Sequence, residues 1–245
     1  LYPIVGPAGR SLTRMGHPHD PESHSHHNSV WISHHDVHGV DFWGDRSGAA
    51  IRHKRIVEYT DEGETSTIVA ESEWVSPDGT VLLDETRKTS VTLLADKEWL
   101  LTIDLTLSAK EKSVTLGKTP FGMIGVRMAK TIGVHDGGGR IRNSEGGVNE
   151  KEVLWKRARW VDYSGAIAKG VLEGVTLFDH PENPNHPSYF HVRNDGWMGA
   201  SLTFDGPREI APGAPLRLRY GLYVHAGIKP PSAIEAQWKR FAQGQ

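Results

Sequence analysis

Apolar and polar residues alternate with a period of two along most of the chain. The run EWLLTIDLTLSA has an apolar side chain at every second position, as a half-buried β-strand does. The longer segment STIVAESEWVSPDGTVLLDETRKTSVTLL holds two such runs around SPDG, which predicts a hairpin. Shorter runs follow at KSVTLGKT, FGMIGVRMA, VLWKRARWVDYSG, VLEGVTLFDH, SYFHVRN and LRLRYGLYVHAG. This pattern predicts strands through almost the whole chain.

Clusters of turn-forming residues separate these runs, among them DGGGR, NSEGG, PENPNHP and APGAP. The final segment SAIEAQWKRFAQ is the best helix candidate, with Ser232 as its predicted N-cap. Closely spaced strands without intervening helices are typical of a sandwich or barrel. We therefore predict one domain over residues 1–245, an all-β, two-sheet antiparallel β-sandwich with a short C-terminal helix.

Composition narrows the possible functions. The chain has 245 residues, no cysteine and a formal net charge of −2. Disulfides and thiol nucleophiles are excluded, and the absence of basic runs argues against a nucleic-acid partner. No apolar run approaches the roughly 18–20 residues of a membrane helix, so we expect no membrane partner. The chain opens directly on a strand-like segment, so we expect that an upstream signal peptide was removed.

Eight of the fourteen histidines lie in one segment, GHPHDPESHSHHNSVWISHHDVHGVDFW. His24 and His26 are two residues apart and would point the same way in an extended chain, so they could bind one metal ion. A third ligand would come from His34, His180, His186, His191 or Asp41. The alternative is a solvated polar loop that binds nothing.

A second polar constellation spans FDHPENPNHPSYFHVRNDGW. Three prolines stiffen this loop, and it carries Asp179, His180 and His186. In the strand that follows, Tyr189, His191 and Arg193 share one face, which is either solvent-exposed or the floor of a pocket. The neighbouring run WKRARWVDYSG places Arg157 beside tryptophans, a combination that suits sugar binding.

Five segments in combination resemble a bacterial family of uncharacterised proteins often labelled methane oxygenase PmoA. These segments are SHSHHNSVWISHHDVHGVDFW, GGRIRNSEGG, WKRARWVDYSG, FDHPENPNHPSYFHVRNDG and LRLRYGLYVHAG. The family pattern DHPHHRSLWFAHGDVNGVDFW matches this chain at His24, His26, His27 and His34, but Asn28 replaces an arginine. His17, His19, His35 and His38 fall outside the pattern and are expected to be loop residues. The resemblance implies a secreted or periplasmic protein with an architecture similar to the galactose-mutarotase-like supersandwich.

The leading hypothesis is a carbohydrate-active enzyme, a glycoside hydrolase or a lyase, with its site in a groove of one sheet. Imidazoles titrate near neutral pH and would supply acid and base groups. The candidate catalytic residues are His24, His26, His27, His34, His180 and His191. The candidate residues for binding the carbohydrate substrate are Trp31, Asp41, Trp43, Arg127, Arg157, His186, Tyr189 and Arg193.

A divalent metal ion held by His24 and His26 is a further hypothesis, with Zn, Ca, Cu and Fe left open. Two alternatives remain at this point. The same histidines could hold copper or iron in an oxidase or oxygenase. The chain could also be a non-catalytic sugar-binding domain.

Overall fold

The computed structural model of the chain describes residues 1–16 and 26–244. In chain order, the strands are β1 Val30–His34, β2 Ala50–Glu62, β3 Thr65–Val75, β4 Val81–Leu93, β5 Trp99–Ser108, β6 Val114–Leu116, β7 Gly122–Arg127, β8 Arg140–Asn143, β9 Lys156–Arg157, β10 Trp160–Ala168, β11 Val171–Asp179, β12 Tyr189–Arg193, β13 Trp197–Ser201, β14 Arg208–Ile210 and β15 Leu216–Ala226. The α-helices are α1 Val134–Gly137, α2 Asn149–Val153 and α3 Pro231–Ala242, and short 3-10 turns span Ala95–Lys97 and Lys130–Ile132.

Two large antiparallel sheets make up the fold, which confirms the predicted all-β class. In the described part of the chain, one sheet has five strands in the order β1-β7-β13-β12-β9, and the other has eight in the order β2-β3-β4-β5-β15-β11-β10-β8. A small sheet pairs β14 with β6. No helix among the described residues is both long and apolar enough to cross a membrane.

The main core lies between the two large sheets. Strand β5 buries every second side chain, including Leu101, Ile103 and Leu105, as its alternating sequence predicts. The five-stranded sheet contributes a matching inward row, because the register aligns Ile32, Ile124, Ala200 and Phe190 across four strands. Since successive side chains point to opposite faces, the residues beside this row must face away from the core.

The C-terminal helix covers part of the other face of the eight-stranded sheet. Ile234 and Phe241 of α3 pack against Trp160, Phe178 and Tyr223 of that sheet in a second apolar cluster. The helix was predicted, but its N-cap is Pro230, two residues before the predicted Ser232. It begins at Pro231, so Ser232 lies inside the first turn, and no side chain caps the helix. Proline suits the first helical position because an N–H group there would have no acceptor within the helix, so its absence costs nothing.

A buried charged network lies on the same outer face. Asp162 is fully buried and accepts hydrogen bonds from His225 Nε2 at 2.8 Å and Arg142 at 2.7 Å. Ser164 and Thr176 also donate to it, each at 3.0 Å. Burial opposes ionisation of this carboxyl, but the charges and hydrogen bonds of His225 and Arg142 outweigh it and hold the pKa of Asp162 below its usual value.

Candidate functional site

The outward face of the five-stranded sheet carries an aligned row of unusual residues. The register places Trp31 of β1 opposite Gly125 of β7, Gly125 opposite Gly199 of β13, and Gly199 opposite His191 of β12. Two residues further along these strands, and therefore on the same face, a second row aligns Arg127, Trp197 and Arg193. These two rows form the base of the candidate site. The sequence predicted that His191 and Arg193 share a face, and they do.

The two glycines leave room for indole rings against the sheet. A Cβ on Gly125 would lie 2.5 Å from Trp31 Cζ2 and 2.6 Å from Trp197 Cζ3. A Cβ on Gly199 would lie 2.7 Å from Trp197 Cη2. Such approaches are far inside van der Waals contact, so only glycine at these positions allows both rings to occupy this space.

The rings form one cluster with a histidine from the loop before β1. His27 stacks on Trp31 and Trp197, with ring centroids 5.3 and 5.2 Å away and interplanar angles of 19° and 15°. Trp43 meets Trp31 and Trp197 edge-on, at 5.4 and 5.6 Å. His26 contacts His27 at 4.4 Å between centroids. Aromatic rings prefer these offset-stacked and edge-on arrangements, so the cluster is well packed.

An open pocket of about 400 Å³ lies over this cluster. Three kinds of residue line it. The imidazoles are His26, His27, His35 and His191, the aromatic rings are Trp43, Phe121 and Trp197, and the charged residues are Arg127, Arg193 and Asp195. The histidine-rich segment and the strand at 189–193 therefore contribute to one pocket.

Among the described lining residues, His191 is the histidine that lies in a β-strand. Its side chain is 7 % exposed and is surrounded by Phe121, Trp155 and Trp197 at centroid distances of 5.3–6.1 Å. Burial and the nearby charge of Arg193 lower its pKa to about 4, although a hydrogen bond with the Pro120 backbone acts in the opposite direction. His191 is therefore neutral at pH 7.

One ring nitrogen of His191 is enclosed by the protein. Among the residues that the structure describes, Nδ1 of His191 has no hydrogen-bond partner. Nδ1 is also buried, so a substrate in the pocket does not contact this atom.

Paired charges border the pocket. Arg127 is fully buried, and its two terminal nitrogens reach the two oxygens of Asp195 at 3.0 and 3.4 Å. Arg14 lies beside this pair and donates to the Asp195 carbonyl at 3.2 Å. Burial, and then the charge of Arg127, lower the pKa of Arg14 to about 10, which leaves it charged at pH 7. Arg193 is half-exposed, and its Nε contacts Glu150 at 3.1 Å.

Three of the predicted site histidines, His34, His180 and His186, do not line this pocket, and a fourth, His24, is not described. His24 lies outside the described residues, as do His17 and His19. His34 is fully buried on the inward side, where its Nδ1 accepts the Asp36 N–H at 3.1 Å and its Nε2 donates to Thr203 at 2.9 Å. Burial lowers the pKa of His34 to about 4. These contacts occupy both ring nitrogens, as in a structural histidine.

His180 and His186 lie near the C-terminal helix instead. The ring of His180 packs edge-on against Phe241 at 5.2 Å, and its Nδ1 accepts the Glu182 N–H. His186 Nδ1 donates to the buried Asp179 carboxylate at 2.8 Å, and its ring stacks on Trp238. The loop before β12 thus brings these two imidazoles to α3, whereas His191 lines the pocket.

Three of the predicted substrate-binding residues have structural contacts outside the pocket lining. Asp41 accepts the N–H groups of Trp43 and Gly44 at 2.6 and 3.1 Å, and so shapes the turn that holds Trp43. Arg157 donates to the carbonyls of Asn185 and Pro187 at 2.7 and 2.8 Å and lies over the Tyr189 ring at 4.3 Å. Trp31 belongs to the ring cluster rather than to the lining.

The structure describes only one of the two predicted metal ligands. Of the two proposed ligands, His26 lines the pocket and His24 is not described. Within residues 1–16 and 26–244, no three histidine or carboxylate side chains are grouped so that they could hold an ion. The residues in view do not complete a metal site, and the binding of a metal stays a prediction.

Four pocket residues were missed from the sequence. The sequence predicts that His35 is a loop residue outside the site, but it lines the pocket, with its ring centroid 5.9 Å from that of Phe121. The sequence pattern does not indicate Phe121, Asp195 or Trp197 as site residues. Trp197 is the last residue of the polar constellation at 178–197, and its position two residues before the strand glycine Gly199 is the available signal.

Fold and site together define an all-β sandwich protein with an imidazole- and indole-lined pocket on the outer face of its smaller sheet. The chain belongs to a family of unknown function, DUF6807, whose model matches residues 1–239. It has no match among curated proteins.

Proposed function

We propose that this protein is a carbohydrate-active enzyme that acts by imidazole acid–base chemistry, with a lyase activity favoured over hydrolysis. The observation that carries the proposal is the meeting of histidines and indole rings in one open pocket. Indole faces suit the C–H surfaces of a sugar ring, and imidazoles can move protons at neutral pH. The pocket volume of about 400 Å³ is in the range of small-molecule sites.

Sugar binding would use the aromatic part of the pocket. Trp43, Phe121 and Trp197 line it and are packed against one another, with Trp43 5.8 Å from Phe121 and 5.6 Å from Trp197. A rigid aromatic surface costs little conformational entropy when a ligand binds. The guanidinium of Arg193 is half-exposed and would bind hydroxyl or carboxylate groups of the sugar.

The acid and base groups of the pocket support elimination. Hydrolysis by the usual route needs two carboxyl groups that converge on the glycosidic bond. Among the lining residues that the structure describes, the one carboxylate is Asp195, and it is held in an ion pair with Arg127. Neutral His191 offers a basic nitrogen instead, and Arg193 lies two residues further on the same face.

In this proposal, the neutral imidazole of His191 accepts the proton from the carbon next to the carboxylate of an acidic sugar. Arg193 stabilises the negative charge that develops on that carboxylate. The electron pair released by the C–H bond forms a carbon–carbon double bond as the glycosidic C–O bond breaks. A second imidazole, from His26 or His35, returns a proton to the leaving oxygen.

The test is an activity screen on acidic and neutral polysaccharides, with and without a chelator. Elimination produces an unsaturated sugar that absorbs ultraviolet light, whereas hydrolysis produces new reducing ends without that absorbance. We expect ultraviolet-absorbing product on an acidic polymer, and loss of at least about a hundredfold in rate for His191→Asn.

The matched control is His38→Asn, because His38 is an exposed histidine outside this pocket and its φ of +54° suits asparagine. We expect the activity of this variant to equal that of the parent. Saturated products alone, or full activity in His191→Asn, would contradict the lyase proposal.

A further inference from the structure

A line of aromatic residues continues from the pocket across the neighbouring surface. Trp155 lies 6.1 Å from His191 between ring centroids, and Phe204 lies 6.0 Å from Trp155. Phe204 in turn contacts Tyr189 at 4.5 Å. We call Trp155, Phe204 and Tyr189 the aromatic ridge. His191 belongs to the pocket and touches the ridge, so the two surfaces are continuous.

Trp155 is unusual because a large aromatic ring is left in solvent. Trp155 is 47 % exposed, whereas four of the eight tryptophans in this chain are buried. It lies on the turn between α2 and β9, where its N–H donates to the Phe190 carbonyl at 2.7 Å and ties the turn to β12. Burial in the core therefore does not explain the presence of tryptophan at this position.

The backbone at Trp155 adds a second observation. Its φ is +56°, in the left-handed region that glycine and asparagine adopt far more readily. A bulky residue there costs about 1–2 kcal/mol relative to an ordinary conformation. Strained backbone of this kind concentrates at functional sites, where the surrounding structure holds it in place. Here the strained position presents an indole ring beside the pocket.

The rest of the ridge is held rigidly. Arg157 covers the Tyr189 ring at 4.3 Å and donates to Asp205 Oδ2 at 2.8 Å, beside Phe204. The same guanidinium binds the carbonyls of Asn185 and Pro187, which fixes the preceding loop. Arg157 and Tyr189, predicted from the sequence as substrate-binding residues, thus support an aromatic surface next to the pocket rather than the pocket itself.

We propose that the aromatic ridge is an outer binding position for a second sugar residue, so that the substrate is an oligosaccharide or polysaccharide chain rather than a monosaccharide. This inference rests on the proposed carbohydrate function. One sugar residue occupies the pocket over Trp43 and Trp197, and the chain continues past His191 onto Trp155.

The experiment measures retention of the native protein during electrophoresis in gels that contain each polymer of the activity screen, together with competition by the constituent monosaccharides. The variants are Trp155→Asn, which relieves the strained φ, and Trp155→Tyr, which keeps an aromatic ring. We expect Trp155→Asn to bind the polymer about tenfold more weakly, and Trp155→Tyr to recover most of the affinity. Competition by the monosaccharide should be the same in all three proteins.

The control is Tyr59→Asn, which removes another exposed aromatic ring, 64 % exposed, on edge strand β2. We expect it to bind like the parent. If Trp155→Asn binds polymer like the parent while Trp43→Ala does not bind, the ridge proposal is wrong and the pocket proposal stands. If the parent neither binds nor acts on any polymer in the screen, both proposals are wrong.

Discussion

Two buried histidines should make the fold less stable as the pH falls from about 7 to about 5. His34 and His191 both have pKa values of about 4 in the folded chain, against an ordinary value of 6.5. In each case burial is the largest cause, because the charged imidazolium loses its hydration. His34 is fully buried and His191 is 7 % exposed, so solvent screens neither shift strongly.

The direction follows from which state takes up protons. Below pH 6.5 the unfolded chain protonates both imidazoles, while the folded chain keeps them neutral until the pH approaches 4. Each histidine therefore contributes stability above pH 6.5 that is lost as the pH falls toward 4. Between about pH 7 and about pH 5 the loss is about 2 kcal/mol for each residue, or about 4 kcal/mol together. That is a large part of the roughly 5–15 kcal/mol of a typical domain.

The assay is urea denaturation of the parent, His34→Gln and His191→Gln at closely spaced pH values in this range. Most carboxyl groups titrate below it and add little to the slope. Each variant should start less stable at neutral pH but lose only about half as much stability on acidification. The exposed control His38→Asn should keep the parent slope. A parent slope in both glutamine variants would show that these two imidazoles do not carry the pH dependence, and would refute the reasoning.

Two further substitutions test the packing of the site and of the outer network. Gly125→Ala should lower the free energy of unfolding by about 1–3 kcal/mol and change the near-ultraviolet circular dichroism, because its Cβ would approach two indole rings within 2.6 Å. Gly206→Ala, where the added Cβ has no neighbour within 4 Å, should change neither measurement. Asp162→Asn should cost about 3–5 kcal/mol in urea denaturation, because His225 and Arg142 would lose their buried counter-charge. A cost below about 1 kcal/mol would mean that the network is not held by charge.

The sequence pattern predicts strands that have one buried face. It does not predict β2, a strand with no buried face. Strand β5 alternates between buried and half-buried residues, and its apolar pattern was evident. Strand β2, Ala50–Glu62, was not predicted, since nearly all of its residues are exposed on both faces. An edge strand of this kind gains its conformation from hydrogen bonds to β3, and its charged residues carry no period-two signal.

For the site, strand parity separates the predicted strand residues that line the pocket from those that do not. His34 lies two residues after Ile32, which faces the core, so the same parity directs His34 inward. In β12, His191 and Arg193 alternate with the core residues Phe190 and Val192, so they face outward, and both line the pocket. Counting histidines showed where polar groups cluster, but the direction of each side chain follows from its place in the strand.

The remaining part of the site depends on strand register, which no local pattern contains. The row Trp31, Gly125, Gly199 and His191 exists because four strands that are distant in sequence align at these positions. A shift of β13 by one residue would place Ala200 or Met198 beside Gly125 and turn Trp197 toward the core. The inward row Ile32, Ile124, Ala200 and Phe190 resists that shift, because it would expose apolar side chains. The core therefore sets the register, and the register in turn brings a basic imidazole, an arginine and an indole surface to one face of the sheet.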